Sequence, residues 1–334
     1  MEKVSKISLK QISKKDDLGS SELVVLLSGN NIDYIIANTI RRTILSEIPI
    51  YSFNEFKFEK NTSIFHNDYI KLRLRHIPIW NIENNIDTYD INVDNTEVKK
   101  EEEDEDDENN DLEPSKSPNY NVSMKQLTMY VNYKNKSNEI YTVSTNDAKF
   151  YYDEKQIDSP YKVPIPIVKL QANQEIAFSA ITKLGIEQEH TMYSAVCVSG
   201  YKEISMTEFE YMIESRGQIT EKRIIEVALI NVIKQIGNLL KLIKEDKLKP
   251  EPTEEGLLII NNMDHTMGNL ITRGLQMHKK INFAGYNLPH PRVKKVHFHY
   301  KLKGNDNIIK IIEEVIEYYL EIFETIKLEA AKLS

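Results

Sequence analysis

The sequence predicts an α+β protein built on an internal repeat, and three observations carry that expectation. The spacing Asp-x4-Asn-x-Ile-x-Arg occurs twice, as Asp33-Tyr-Ile-Ile-Ala-Asn38-Thr-Ile40-Arg-Arg42 and as Asp264-His-Thr-Met-Gly-Asn269-Leu-Ile271-Thr-Arg273. Each copy follows a short β-prone run, residues 23–27 and 257–260, and precedes alternating strand-like sequence at 53–58 and 293–300. Each half then ends in a long apolar stripe with helical spacing.

In chain order, residues 23–27 read as a strand and the first copy of the repeat as a helix. Ile32, Ile35, Ile36, Ile40 and Ile44 share its apolar face, and Asp33 stands near the start, where its charge suits the helix dipole. Asn38 and Arg42, four apart, lie on one side of it. Residues 141–143, 161–168 and 193–198 lean towards strand. Pro164 and Pro166 place both missing donors on one side, as an edge strand tolerates. Residues 209–215 return as a strand, and Gly217 punctuates the chain before the first stripe.

In that stripe Ile225, Leu229, Val232, Ile236, Leu239 and Ile243 step by 4, 3, 4, 3 and 4; Ile308, Ile312, Val315, Tyr319, Ile322 and Ile326 step identically. A single stripe ordinarily lies on its own sheet. Two matched stripes in two matched halves bring mutual packing at a shallow angle level with that alternative. The architecture implied is an intramolecular pseudo-dimer. Its larger module is discontinuous (1–80 and 205–245) and interrupted by an inserted β-rich domain (81–204). A linker (246–255) leads to a smaller module (256–334).

The chain has 334 residues, 40% hydrophobic and 28% charged, enough for two or three domains with a sizeable core. Its net charge of −8 equals that of one eight-residue acidic run at 101–108. That run lies in a polar stretch, 94–120, which reads as a disordered loop. Outside it acids and bases are equal in number, which argues against a surface that coats itself with nucleic acid. A single cysteine, Cys197, excludes an internal disulfide and an all-cysteine zinc cage and suits a reducing compartment. No apolar run approaches membrane-spanning length. The intracellular reading makes the triplets at Asn61, Asn121 and Asn135 meaningless as glycosylation acceptors.

No active-site motif emerges. The glycines form neither GxGxxG nor GxxxxGK[ST], and GxSxG is absent. Cys197 sits in an apolar strand-like run, where a buried, inert thiol is expected. His297 and His299 alternate and so share a face, and His265 and His278 stand 13 apart. Without HExxH spacing or cysteine partners, a surface pair is expected and no metal. No cofactor is implied. Arg41 and Arg42 are adjacent, about 100° apart on a helix, so at most one lies beside the apolar face. Isolated helix arginines are usually solvated, but a guanidinium also suits a partner interface.

The stretch Asn38-Thr-Ile-Arg-Arg-Thr-Ile-Leu-Ser-Glu-Ile-Pro49 resembles the first-helix signature of the α-type subunits of multisubunit DNA-directed RNA polymerases. Asn61-Thr-Ser and Asp68-Tyr-Ile-Lys-Leu-Arg73-Leu-Arg-His-Ile-Pro78 resemble the next strand and helix of the larger α-like subunit, and Glu189-His190-Thr-Met-Tyr-Ser194 resembles a motif of its inserted domain. Asp264, His265, Thr266, Gly268 and Asn269, then Phe283-Ala-Gly285-Tyr286 and His290-Pro291, resemble the smaller α-like subunit.

The resemblance implies a fusion of both α-like subunits, as found in large DNA viruses. Its fold would be two α-type dimerisation modules joined through their long helices. Its role would be a non-catalytic platform for two large catalytic subunits and small zinc-binding subunits, with little nucleic-acid contact and no need to self-dimerise. It also implies large-subunit docking by Arg41, Arg42, Asn38, Asp68 and Arg73, with Arg42 the more important of the arginine pair. Asp68 stands where the family usually has glutamate, and Lys71-Leu72 replace Ala-His. The implied home is intracellular, and for a viral member the host cytoplasm or the virion. The competing reading is a stand-alone regulatory or nucleic-acid-binding module on the same fold.

Overall fold

The computed structural model describes residues 4–17, 20–80, 126–244, 255–290, 295–304 and 306–333. The expected loop at 94–120, residues 246–254 of the expected linker, and Pro291 lie outside the described residues.

A four-stranded antiparallel sheet, in the order β1-β2-β11-β10, gathers both ends of the first half. It takes β1 (Ser8–Asp17) and β2 (Ser20–Ser28) from the start, and β10 (Val196–Ser205) and β11 (Glu208–Ser215) from the end. Period-two alternation puts Leu23, Val25 and Leu27 of β2, and Phe209, Tyr211 and Ile213 of β11, on one buried face. Against it pack α1 (Tyr34–Ser46), whose predicted apolar face is buried throughout, and α3 (Glu221–Lys244). Each such aliphatic side chain contributes about 1.5–3 kcal/mol by leaving water.

The second half repeats the plan with fewer strands. In a three-stranded antiparallel sheet, β14 (Lys295–Leu302) lies between β12 (Glu255–Asn261) and β13 (Ile281–Asn287). The strand β13 is not evident from its sequence, because an irregularity between Ile281 and Phe283 breaks the alternation that would reveal it. The helix α4 (His265–Met277) lies on β13 and β14 and against α5 (Ile308–Ala330). Two glycines permit that approach. A Cβ on Gly274 would come within 2.3 Å of Val315 Cγ1, and one on Gly268 within 2.9 Å of the Tyr286 ring.

The helices α3 and α5 pack against each other. They run antiparallel: Lys222, at the start of α3, donates from Nζ to the Ala331 carbonyl beyond the end of α5, at 3.0 Å. All twelve stripe positions from Ile225 to Ile243 and from Ile308 to Ile326 are buried, none more than 7% exposed. They belong to one continuous apolar core that takes in both small sheets and extends from Ile7 to Leu333.

A second core, from Tyr51 to Ile186, is separate. It fills a five-stranded sheet, order β3-β9-β4-β6-β7, comprising β3 (Ile50–Asn61), β4 (Leu127–Lys134), β6 (Ala148–Tyr152), β7 (Lys155–Ile157) and β9 (Glu175–Gly185). A two-stranded antiparallel sheet of β5 (Tyr141–Ser144) with β8 (Pro166–Leu170), and α2 (Asn67–Arg75), complete it. The expected insertion ends, 81 and 204, therefore do not coincide with the division between the cores. The strand β3 pairs with β9, Ile50 opposite Gly185, and so joins the second core, whereas β10 joins the first sheet. Alternation announces a strand but not its partner, which here lies more than a hundred residues away.

Two residues bind the bodies together. Arg216 donates to the carbonyls of Met192, Ser194 and His76 at 3.3, 3.0 and 2.9 Å. Gln218 bonds both the N–H and the carbonyl of Tyr51 and the carbonyl of Ile79. Between them Gly217 takes a φ of 84°, which favours glycine.

Cys197 is exposed rather than buried. Val196 pairs with Ser215 and Val198 with Glu214, so Cys197 is the extra residue of a bulge and escapes the buried phase of its strand. Among the described residues no helix is long and apolar enough to cross a membrane. At Asn61 and Asn135 the amide nitrogens are donors within the fold, to Phe65 and to Glu139, Leu170 and Gln171 respectively. The triplet at Asn121 lies outside the described residues.

Candidate functional site

Both copies of the repeated spacing begin on an N-cap. The Oδ1 atom of Asp33 accepts from the backbone N–H groups of Ile35 and Ile36, each at 3.0 Å, and Asp264 Oδ1 does the same for Thr266 and Met267 at 2.9 and 3.0 Å. Such a carboxylate satisfies donors that the first helical turn leaves open. It also explains why an aspartate stands at the start of each motif helix.

The shared arginines cross between the copies. Arg273 Nε, on α4, donates to Asp33 Oδ2 at the start of α1, at 3.1 Å. Arg42 Nε, on α1, donates at 2.8 Å to Thr266 Oγ1 in the first turn of α4. The hydroxyl of Thr266 in turn donates to Asp264 Oδ2 at 2.8 Å. The asparagines take no part in the crossing. Asn38 Oδ1 instead holds Arg41 through Nε and Nη2, at 3.0 and 2.9 Å, along its own helix. Beside the crossing, Tyr286 meets the His265 ring edge-on at 5.9 Å. Burial pushes its phenol pKa up, the Asp264 carboxylate adds to this and Arg42 opposes it.

The remaining candidates lie elsewhere. Asp68 and Arg73 are exposed on α2, in the second body, away from the arginine crossing. Lys71 Nζ holds Asp68 at 2.9 Å, and that bond keeps its carboxyl below the usual range. Arg73 Nη2 donates to the Pro166 carbonyl at 3.0 Å, tying α2 to β8. His265 and His290 are exposed, Asn269 and Gly285 half-buried. His299 is exposed and bonds Asn287 Oδ1 at 3.2 Å; its neighbour in the pair, His297, is half-buried.

Arg216 and Gln218 escaped sequence reasoning, and Gly217 was the only signal near them. Among the described residues no group of three or more His, Cys, Asp or Glu is placed to hold a metal. Among the described residues, a cavity lined by Ile40, Ile44, Leu229 and Ile326 is apolar. Tyr211 also borders it, with its hydroxyl donating to the Ala37 carbonyl at 2.9 Å. The cavity offers no polar group to orient a substrate.

The model of the RNA polymerase Rpb3/Rpb11 dimerisation domain matches residues 255–329. The RPAC2 subunit of RNA polymerases I and III from Caenorhabditis briggsae is 34% identical over 28% of this chain and 69% of its own length. The chain belongs to the α-type RNA polymerase subunits. A relative of this α-type subunit in Acanthamoeba polyphaga mimivirus, the RNA polymerase subunit R470, is 26% identical over 95% of this chain and 92% of its own. The RNA polymerase II subunit rpb3 of Dictyostelium discoideum is 26% identical over 56% of this chain and 55% of its own. For an α-type subunit, the crossing of arginines between α1 and α4 is the feature that ties one copy of the repeat to the other.

Proposed function

We propose that this subunit is the non-catalytic assembly platform of its polymerase, with the larger and smaller α-like modules fused and paired in one chain. The two large catalytic subunits dock on it, together with small zinc-binding subunits. The observation that carries this reading is the exchange of arginines between two copies of one motif, Arg42 to Thr266 and Arg273 to Asp33, beside paired α3 and α5. It is what a dimer of related modules makes across its axis, here within a single chain. A viral polymerase subunit that matches 95% of the chain supports the fusion.

In this reading the inserted domain runs from Tyr51 to about Ile186, following the second core, and the larger module comprises what precedes it and the chain through α3. Arg41, Arg42 and Asn38 on α1, with Asp68 and Arg73 on α2, are the docking residues. One chain fixes the modules at one-to-one stoichiometry and replaces an encounter by an intramolecular contact at high effective concentration.

The test is purification of the tagged full-length chain from its source and identification of what accompanies it. Two very large polymerase subunits, with no separate α-like subunit, are expected. Recovery of the chain alone overturns the platform. A salt-sensitive gel shift by the isolated chain is the result that the nucleic-acid-binding alternative requires.

A further inference from the structure

The two crossing arginines occupy the same place in the repeat, yet their charges meet different ends. Arg273 bonds a carboxylate, so its charge is matched within the fold. Arg42 bonds a hydroxyl, and among the described residues it forms no ion pair within 4.0 Å. The acid closest to it along this chain of bonds, Asp264, is spent: Oδ1 caps α4 and Oδ2 accepts from Thr266. Because Thr266 donates its hydrogen to Asp264, its oxygen faces Arg42 as an acceptor, and the direction of the whole relay is fixed. Arg42 is an exposed residue held by Nε alone, which leaves both terminal amino groups of the planar fork for a partner. Arg41 differs, since Nε and Nη2 are both committed to Asn38.

We propose that Arg42, oriented by Thr266 and Asp264 of the other half, anchors a carboxylate of a large polymerase subunit, so that this docking site is complete only when the two halves are paired. The proposal rests on the platform reading and adds to it a partner chemistry and a dependence on pairing. Thr266 acts as a positioning residue: it touches the arginine rather than the partner. At the equivalent place Arg273 is already matched by Asp33, so the unmatched guanidinium charge stands on one side of the platform only. An unpaired or misfolded half presents Arg42 without its support, and the large subunit discriminates against it.

The test is co-expression of the tagged full-length chain with the two large polymerase subunits of its own source, reading the amount of each recovered at matched expression, with thermal melting of each variant alone. For Thr266→Val, roughly 2- to 10-fold weaker recovery is expected, the range of one hydrogen bond. Thr266→Ser, which keeps the hydroxyl, restores it. Arg42→Ala loses about 10-fold or more, as for a charge-assisted bond, and adding Thr266→Val loses nothing further. Arg42→Lys, which keeps the charge but has neither the fork nor the Nε–H that Thr266 orients, recovers less than wild type and more than Arg42→Ala.

Wild-type recovery by Thr266→Val or by Arg42→Lys overturns the inference while leaving the platform intact. So does a further loss in the double variant. If the wild-type chain recovers neither large subunit, the platform falls and the inference falls with it.

Discussion

Asp33 performs two tasks with one carboxylate, capping α1 through Oδ1 and holding Arg273 through Oδ2. The two carry different weights. An N-cap contributes about 1 kcal/mol, whereas an ion pair with side chains 38% and 22% exposed contributes at most about 1 kcal/mol and is screened by salt. Asp33→Ala is therefore expected to destabilise more than Arg273→Ala. Urea unfolding at low and high salt checks this: the Arg273→Ala deficit fades with salt and most of the Asp33→Ala deficit persists. Equal deficits at both salts would remove the cap from the account. Cys197 yields a second prediction. Its thiol is exposed, but desolvation and the nearby Glu214 carboxylate raise its pKa, so less thiolate is present at neutral pH. Alkylation of the folded chain is expected to go to completion, more slowly than for a small free thiol. An inert thiol would contradict the bulge that exposes it.

At the scale of elements, the sequence was legible wherever a period could be read. Both stripes, the apolar face of α1 and the return strand β11 followed from spacing alone, because one buried side imposes a fixed period on a helix or strand. The strand β13 and the partner of β3 did not, since a bulge erases the first and distant pairing decides the second. The seam between α3 and α5 gives the sharpest test of an element. Ile322 is fully buried there, and Ile322→Asp places an unpaired carboxylate among apolar groups at a cost of several kcal/mol. A large fall in melting temperature, or loss of cooperative unfolding, is expected. An unchanged melting temperature would mean that the seam does not bury this side chain.

For the molecule as a whole, one apolar core unites the two ends of the chain while a second core stands apart. The acidic run at 101–108 falls outside the described residues and carries the whole net charge of −8. Its deletion leaves a neutral chain, and melting temperature and large-subunit recovery are both expected to hold. A fall in either would give the run a role in folding or assembly. The edge strand β1 carries Lys10, Lys14 and Lys15, charges of the kind that discourage strand addition by other chains.

The sequence by itself determined the repeat, the α+β class, the two matched stripes and the aspartates that begin both motif helices. Each is a local pattern, enforced within a few turns by periodicity or by capping. Tertiary structure alone decided that β3 leaves the first sheet, that Cys197 reaches the surface, and that the motif arginines serve each other's helices rather than their own. Those outcomes join residues 224 and 240 positions apart in the case of the arginines. No local period encodes such a meeting; it exists only once the packing of α3 on α5 and of α1 on α4 has laid the start of each motif helix against the later turns of the other.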